Sequence, residues 1–306
     1  MDEAIQLTGE LPSLRDPLAL VALWGLGDGT GSALGAVRHL REKWAADEVA
    51  AVDSDRFYDL SVARPRRLQR GDDYLIRWPS VRFYAAHPPS APRDVVLISG
   101  REPHLRWRDF TEGVASFLDE AGARDVLLLT SRPGAVPHTR PTPVTLSDAD
   151  PAFEQALGER SEPSSYQGPT SMATVLLVAL RQRGLRTGRL AALIPDYVNF
   201  GPNPRAVLAL AHSVDALLGT DTDAAAVVAS LQPFNEQVDQ AISSEPSERD
   251  IRAHIAELEE RYDRDRDSTT GSEAESELPS SNELLRGIDE LLREREDEEP
   301  RGGSGP

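Results

Sequence analysis

Apolar and polar positions follow two alternating periods over about the first 240 residues. Short apolar runs bounded by turn-forming residues are typical of buried strands, whereas apolar residues three and four positions apart are typical of amphipathic helices. The pattern predicts strands over 18–24, 48–54, 94–99, 125–130 and 189–195, with two short strands within 74–85 around a Pro79–Ser80 turn. It predicts helices over 32–44, 107–121, 151–157, 204–219 and 223–243, and another with Pro169 in its first turn and Gly184 after its last.

Strands and helices that alternate along a chain form α/β folds, in which helices cover both faces of a parallel or mixed sheet. The segments 18–54 and 94–130 each have the strand–helix–strand order of a βαβ unit. The stretch 132–146 is punctuated by prolines and is predicted to be a loop. The fold class predicted for the body of the chain, residues 1–244, is therefore α/β with a layered parallel or mixed sheet and helices on both faces.

The C-terminal part differs from this body in its charge. Residues 245–300 contain 20 acidic residues and 8 arginines, and the whole chain has a formal net charge of −18. We expect a helical acidic C-terminal extension that begins with a charged helix over 245–266 and continues through a disordered linker over 267–281. An amphipathic tail helix over 282–297 follows, and 298–306 is predicted to be disordered.

The tail helix carries an apolar stripe that predicts a partner-binding surface. The stripe consists of Leu284, Leu285, Ile288, Leu291 and Leu292, which fall on one helical face. A helix this short is marginally stable alone in water, so we expect a groove to cover the stripe. That groove belongs either to the protein's own oligomer or to another protein, and the sequence leaves both alternatives open.

A glycine-rich loop connects the strand over 18–24 to the next helix. Its glycines are Gly25, Gly27, Gly29 and Gly31. The dinucleotide fingerprint G-x-G-x-x-G fails in every frame, because the third glycine position holds threonine, serine or leucine. The chain has no Gly-Lys-Ser/Thr sequence of a P-loop, and the charge of Asp28 in the loop would repel a phosphate. The loop is therefore predicted to be a turn, with a nucleotide site at the electropositive helix N-terminus as the alternative.

Sequence motifs of nucleophilic catalysis and of metal binding are absent. There is no cysteine, no G-x-S-x-G and no H-E-x-x-H, and the six histidines show no metal-ligand spacing, so we expect neither a metal nor a cofactor. A zinc site of Glu102, His104 and His138 is the remaining metal alternative. Open α/β sheets bind ligands where their strands end, and residues near those ends define a candidate pocket. Its members are Gly27, Asp28, Gly29, Gly31, Glu102, His104, His138 and Arg140.

Charge and hydropathy exclude several classes of partner. A net charge of −18 argues against nucleic acid, whose phosphates bind cationic surfaces. No apolar run approaches the roughly 18 residues of a membrane span, and the acidic N-terminus has no apolar stretch of signal-peptide length. We expect a cytoplasmic protein that binds neither nucleic acid nor a membrane.

Four segments carry a family resemblance: REPHLRWRDFTEGVASFLDEAGARDV (101–126), AVPHTRP (135–141), YQGPTSMATVLLVAL (166–180) and LIPDYVNFGPNPRAVLALAHSVDALLG (193–219). They resemble successive blocks of the PAC2 family, the proteasome assembly chaperone family, and of its actinobacterial branch in particular. The resemblance implies a phosphorylase/hydrolase-like α/β sandwich, assembly into homo-oligomers with a trimer as the expected form, and a chaperone or scaffold role without catalysis. It also implies proteasome-related partners. Archaeal relatives can dock on proteasomes through a hydrophobic-Tyr-X ending, whereas this sequence ends in RGGSGP.

The function expected from these observations is that of a non-enzymatic, oligomeric assembly factor or chaperone-like protein that binds client protein subunits. The alternative is a nucleotide-dependent enzyme, similar to a carboxylate–amine ligase. That enzyme would use the glycine loop together with Glu102 and the loop that contains His138 and Arg140.

Overall fold

The computed structural model describes residues 4–71, 73–163 and 166–271. Its strands are β1 (Ile5–Leu7), β2 (Leu18–Trp24), β3 (Asp47–Val52), β4 (Arg66–Arg70), β5 (Asp73–Arg77), β6 (Val81–Ala86), β7 (Val95–Arg101), β8 (Asp125–Gly134), β9 (Val144–Ser147) and β10 (Arg186–Pro195). Its helices are α1 (Ser32–Lys43), α2 (Ser54–Phe57), α3 (Trp107–Glu120), α4 (Pro151–Leu157), α5 (Met172–Gln182), α6 (Pro204–Leu218), α7 (Ala225–Ala229), α8 (Leu231–Ser243) and α9 (Glu248–Gly271). The tail helix predicted over 282–297, with its stripe from Leu284 to Leu292, lies outside the described residues.

Eight strands form one mixed sheet in the order β1-β3-β6-β7-β2-β8-β10-β9. Strands β2, β7, β8 and β10 are parallel neighbours, and β3 points the same way because it is antiparallel to β6, which is antiparallel to β7. The outer strands β1 and β9 run in the opposite direction. The predicted mixed α/β sheet is confirmed, and the carboxyl ends of the central strands meet at one edge.

Helices cover both faces of this sheet, as the sequence predicts. On one face, α3 and α5 bury an apolar cluster that includes Phe110, Phe117 and Leu176. On the other face, α1 and α6 bury a second cluster that includes Leu40 and Leu210. Each central strand contributes side chains alternately to the two clusters, because successive residues of a strand point to opposite faces.

Two predicted helices differ from the observed ones for reasons that involve proline. The helix predicted with Pro169 in its first turn begins at Met172, because the Ser171 hydroxyl accepts the Thr174 amide hydrogen and caps the helix there. The single helix predicted over 223–243 is two helices, α7 and α8, which meet at Ser230. Pro233 lacks an amide hydrogen and is tolerated only in a first helical turn, so the helix restarts just before it.

The strands also differ from the prediction at three places, the first of which is β1, a three-residue strand for which the sequence analysis had no prediction. The predicted loop over 132–146 contains the end of β8 and all of β9 except its last residue, and both strands pair with β10. The two strands predicted within 74–85 exist as β5 and β6, but they do not pair with each other. Instead, β5 pairs with β4, for which the sequence analysis had no prediction. The prolines in 132–146 obscured the strand pattern of the end of β8 and of β9. The absence of alternating apolar residues obscured the pattern of β4.

The charged helix predicted over 245–266 is α9, which runs from Glu248 to Gly271 and so includes five residues assigned to the linker. The chain divides into two compact units, 1–262 and 263–306, and the domain boundary near residue 244 stays a prediction from charge. The first unit includes the start of α9, because Ile255 packs with Phe234 and Val238 of α8 in a third apolar cluster. Within the described ranges, no helix combines the length and the apolar composition needed to cross a bilayer.

Candidate functional site

A cleft of about 480 Å³ lies at the sheet edge where β2 and β7 end. Its walls are Trp24, Gly25, Gly29, Arg101, Glu102, Pro103, His104 and Trp107. The parallel pairing of β2 with β7 places Trp24 opposite Arg101, so the loops that follow both strands emerge side by side. This is the edge at which open α/β sheets hold their ligands.

Two tryptophans are among the walls of the cleft, and polar contacts hold both rings. The Trp24 indole N–H donates to the Gly29 carbonyl at 3.1 Å, and the Arg101 guanidinium lies 4.8 Å from the centre of the Trp24 ring. The Trp107 indole N–H donates to the Pro103 carbonyl at 2.7 Å. Trp24 keeps 40% of its surface exposed, so the cleft presents a fixed aromatic face to solvent.

The Glu102 carboxylate joins two loops through backbone amides. Its Oε1 accepts the Met172 amide hydrogen at 3.0 Å, and its Oε2 accepts that of Leu26 at 3.2 Å. Met172 is the first residue of α5, so the charge of Glu102 lies at the positive end of that helix. Gly25 leaves room for the Glu102 side chain, because a Cβ at position 25 would lie only 2.7 Å from the Glu102 Cβ.

The His104 ring is fixed against the loop that follows α2. Its Nδ1 accepts the Asp59 amide hydrogen at 3.2 Å, and the ring packs edge-on against Tyr58 with centroids 5.7 Å apart. The Tyr58 hydroxyl in turn donates to the Arg101 carbonyl at 2.6 Å, and burial raises the pKa of this hydroxyl. His104 therefore contributes a ring to the cleft wall, with one nitrogen already engaged.

The glycine loop ends in a cap for α1 that Asp28 provides. The fully buried Asp28 carboxylate accepts the amide hydrogens of Ala33 at 3.0 Å and Leu34 at 2.9 Å, and the Ser131 hydroxyl also donates to it. Burial raises the pKa of this carboxyl, against the opposing effect of these hydrogen bonds. Asp28 thus occupies the amides that would bind a phosphate at a helix N-terminus.

Backbone geometry accounts for two further members of the loop. Gly31 precedes α1 with φ of 77°, a left-handed conformation that side chains disfavour. The Gly27 carbonyl accepts the Ser131 amide hydrogen at 3.1 Å, which ties the loop to β8. The loop therefore works as a strand-to-helix turn that is anchored on a neighbouring strand.

His138 lies in a separate cluster around Tyr197. The Tyr197 hydroxyl accepts the His138 amide hydrogen at 2.8 Å and lies 2.9 Å from His138 Nδ1, and the Arg205 guanidinium donates to the His138 carbonyl at 2.6 Å. Burial lowers the pKa of His138 and raises that of Tyr197 to about 12. Both groups are therefore neutral near pH 7.

Arg140 belongs to the same loop as His138, and its guanidinium lies against α9. Its Nη1 is 3.3 Å from the Glu259 carboxylate, and the Thr139 hydroxyl donates to the same carboxylate. Arg261, which also belongs to α9, donates from its guanidinium to the Ala135 carbonyl at 2.8 Å. These contacts hold the AVPHTRP loop against the helix.

Comparison with known proteins places the chain in a family. The model of the PAC2 family matches residues 28–243. The chain belongs to the PAC2 family. A PAC2 family protein from Streptomyces avermitilis is 33% identical with a TM-score of 0.68, over 76% of this chain and 99% of the other. A proteasome-assembly chaperone homologue from Mycobacterium tuberculosis is 30% identical with a TM-score of 0.66, over 79% of this chain and 99% of the other.

More distant likeness shows the fold alone. An archaeal proteasome activator from Pyrococcus furiosus has a TM-score of 0.59 at 17% identity, over 78% of this chain and 99% of the other. A search of curated protein sequences returns no match to the chain. The predicted PAC2 membership and its actinobacterial relatives are thus confirmed by both the family model and the solved structures.

In this PAC2 protein the eight predicted pocket residues do not form one site. Gly29, Glu102 and His104 line the cleft, whereas the other five are not among its walls. Gly27, Asp28 and Gly31 build the turn before α1, and His138 and Arg140 form the cluster next to α9. The three-residue zinc alternative fails because the cleft holds Glu102 and His104 without His138. Among the described residues, no group of three metal-ligating side chains is close enough to hold an ion.

The cleft residues missing from the predicted pocket are Trp24, Gly25, Arg101, Pro103 and Trp107. Trp24 is the last residue of the strand predicted over 18–24, and Trp107 is the first residue of the helix predicted over 107–121. Arg101 lies two residues beyond the strand predicted over 94–99, which the structure extends to Arg101 as β7. Their positions were thus visible in the sequence. Their shared cleft was not, because it depends on β2 and β7 being neighbours in the sheet.

Proposed function

We propose that this PAC2 protein is a homo-oligomeric, non-enzymatic assembly factor that binds client protein subunits, with proteasome subunits as its clients. The 30% identical relative from Mycobacterium tuberculosis is described as a proteasome-assembly chaperone homologue, which supports this class of client. The trimer that the sequence resemblance implies is part of the same proposal.

The observation that carries the proposal is how the polar groups at the sheet edge are used. Asp28 and Glu102 each bind backbone amides at a helix N-terminus, and His104 accepts a backbone amide. Carboxylates committed to the fold in this way are poorly placed to act on a substrate. Exposed apolar side chains directly follow two of the cleft walls in the sequence: Leu26 follows Gly25 and is 70% exposed, and Leu105 follows His104 and is 45% exposed. Such surface is typical of protein-binding sites.

The nucleotide-dependent alternative has less support from the same geometry. It needs the glycine loop to receive phosphate, but the Asp28 carboxylate lies on the amides of Ala33 and Leu34. We therefore expect millimolar ATP, with or without Mg²⁺, to leave the melting temperature unchanged. Stabilisation by ATP would instead favour the enzyme, because a ligand that binds only the folded state raises its stability.

Client binding is tested with substitutions at the cleft border. The double variant Leu26→Asp/Leu105→Asp introduces two carboxylates at exposed positions without removing a core residue. We expect its affinity for purified proteasome α-subunits, measured by biolayer interferometry, to fall by about tenfold or more, as at interface hot spots. The matched control is Val228→Asp on α7, where the side chain is 51% exposed.

Equal affinities for the wild type, the cleft variant and the control would contradict the assignment of the cleft. No binding of α-subunits by the wild-type chain would contradict the client class itself. Circular dichroism of each variant shows whether the fold is retained, so that a loss of affinity is read only from folded protein.

A further inference from the structure

Strands β4 and β5 form an antiparallel hairpin that is separate from the main sheet. Its register pairs Arg66 with Arg77 at one end and Arg70 with Asp73 at the other. Nine of the ten residues in the two strands are exposed, and the tenth, Leu68, is half-buried. An isolated two-stranded hairpin is marginally stable in water, so this element gains little from its own contacts.

Large apolar side chains are exposed on both faces of the hairpin. Neighbouring residues of a strand point to opposite faces, so Leu75 lies on one face and Tyr74 and Ile76 lie on the other. Their exposed fractions are 48%, 60% and 45%, and Trp78 directly after the hairpin is 48% exposed. Exposed apolar surface of this kind is typical of a protein interaction site.

The hairpin is also basic in an acidic protein. Residues 64–77 contain five arginines and two aspartates, a net charge of +3, whereas the chain as a whole carries −18. Arg66 and Arg77 lie directly opposite each other, and like charges at such a position repel. A carboxylate from a facing surface would remove this repulsion, so the hairpin is complementary to an acidic and partly apolar partner.

We propose that the β4–β5 hairpin is the arm through which one copy of this chain binds the acidic surface of a second copy. This inference rests on the homo-oligomer of the proposed function and names the element that builds it. Charge complementarity supports a second copy, because the hairpin is the cationic exception in a strongly anionic chain. The contact joins two different surfaces, and head-to-tail contacts of that kind form a ring such as a trimer when the rotation between copies closes.

The first test reverses the charge of the opposed arginine pair in the full chain. We expect wild-type protein to sediment as an oligomer at micromolar concentration, and Arg66→Glu/Arg77→Glu to sediment at the monomer mass of 33.4 kDa. The control Arg38→Glu/Arg108→Glu changes the net charge equally at two other exposed positions, and we expect it to remain oligomeric. Raising NaCl from 0.1 to about 0.5 M should weaken the wild-type assembly, since salt screens exposed charges.

The second test uses the absence of cysteine from the chain. Gln69→Cys on β4 and, as control, Arg38→Cys on α1 each create a single site for a benzophenone maleimide. Illumination of purified oligomer should give a product of twice the chain mass from the Gln69 site and far less from the Arg38 site. A Gln69 yield no greater than that of the control would overturn the proposal.

The oligomeric state separates this inference from client binding. A wild-type monomer, or a hairpin variant that stays oligomeric with unchanged circular dichroism, would overturn the arm and leave the client assignment standing. An oligomer that depends on the hairpin but binds no α-subunit would support the arm and overturn the client assignment. If Arg66→Glu/Arg77→Glu alters the fold, the cross-linking result alone decides.

Discussion

Replacing Asp28 by alanine tests whether the glycine loop is a structural cap. The substitution removes the acceptor for the amide hydrogens of Ala33 and Leu34 and for the Ser131 hydroxyl. Two of the donors belong to buried residues, Ala33 and Ser131, and the third, the amide of the partly buried Leu34, meets a carboxylate that is itself fully buried. Water therefore cannot replace the lost acceptor without entering the site.

The expected cost follows from these contacts. Loss of a helix N-cap costs about 1 kcal/mol, with a range of roughly 0.5–2 kcal/mol. A buried hydroxyl left without a partner costs about 1–3 kcal/mol more, which gives about 2–4 kcal/mol in total. In a folded unit of this size, each kcal/mol lowers the melting temperature by about 2–4 °C, so we expect a decrease of about 5–15 °C.

Equilibrium denaturation in urea measures the free energy of unfolding, and amide hydrogen exchange at Ala33 and Leu34 localises the effect. Two comparisons define the cause. Asp28→Asn keeps one acceptor oxygen and should cost less than alanine, and Ser131→Ala in the Asp28→Ala background should cost less than it does alone. A loss below about 0.5 kcal/mol, or additive costs of Asp28→Ala and Ser131→Ala, would refute the capping role.

Two further predictions concern the edge of the sheet. Burial lowers the pKa of His138 in the folded state below its unfolded value near 6.5. The unfolded chain therefore binds the proton more readily, and the free energy of unfolding decreases as the pH falls below about 6.5, by up to about 1.4 kcal/mol per pH unit. His138→Gln should therefore lose less stability between pH 7.5 and 5.5 in urea titrations, and equal losses would contradict this. Gly25→Ala should lower the melting temperature by several degrees because its Cβ meets Glu102, whereas Gly29→Ala, with no atom within 4 Å of its Cβ, should have little effect.

The sequence predicted elements well where local pattern determines them. The run 18–24 is apolar throughout and became β2, and the helix predicted over 107–121 became α3 with its apolar stripe on the core. Pairing could not be predicted in the same way. β5 has the composition of a strand, but whether it joins β6 or β4 depends on long-range contacts that no local period reports.

The candidate site was predicted only in part, for a related reason. The rule that ligands bind at strand ends correctly selected Glu102 and His104 as cleft residues. The same rule also selected His138, which does not line the cleft, because the positions of strand ends do not show which loops lie next to each other. It also could not show that Glu102 binds the Met172 amide, 70 positions further along the chain.

Asp28 and Glu102 together supply the physical argument for the proposed binding of a protein surface, and against that of an anionic metabolite, at this sheet edge. Each carboxylate lies at the N-terminus of a helix, Asp28 at α1 and Glu102 at α5, so each compensates the positive end of one helix dipole. An α/β enzyme that binds phosphate leaves such amides unoccupied for its substrate. With both helix ends compensated from within, the attraction that remains at the cleft comes from the Trp24 ring and from the Arg101 guanidinium that lies over it. We expect this pair to bind an aromatic side chain, as the proposed client subunit would supply.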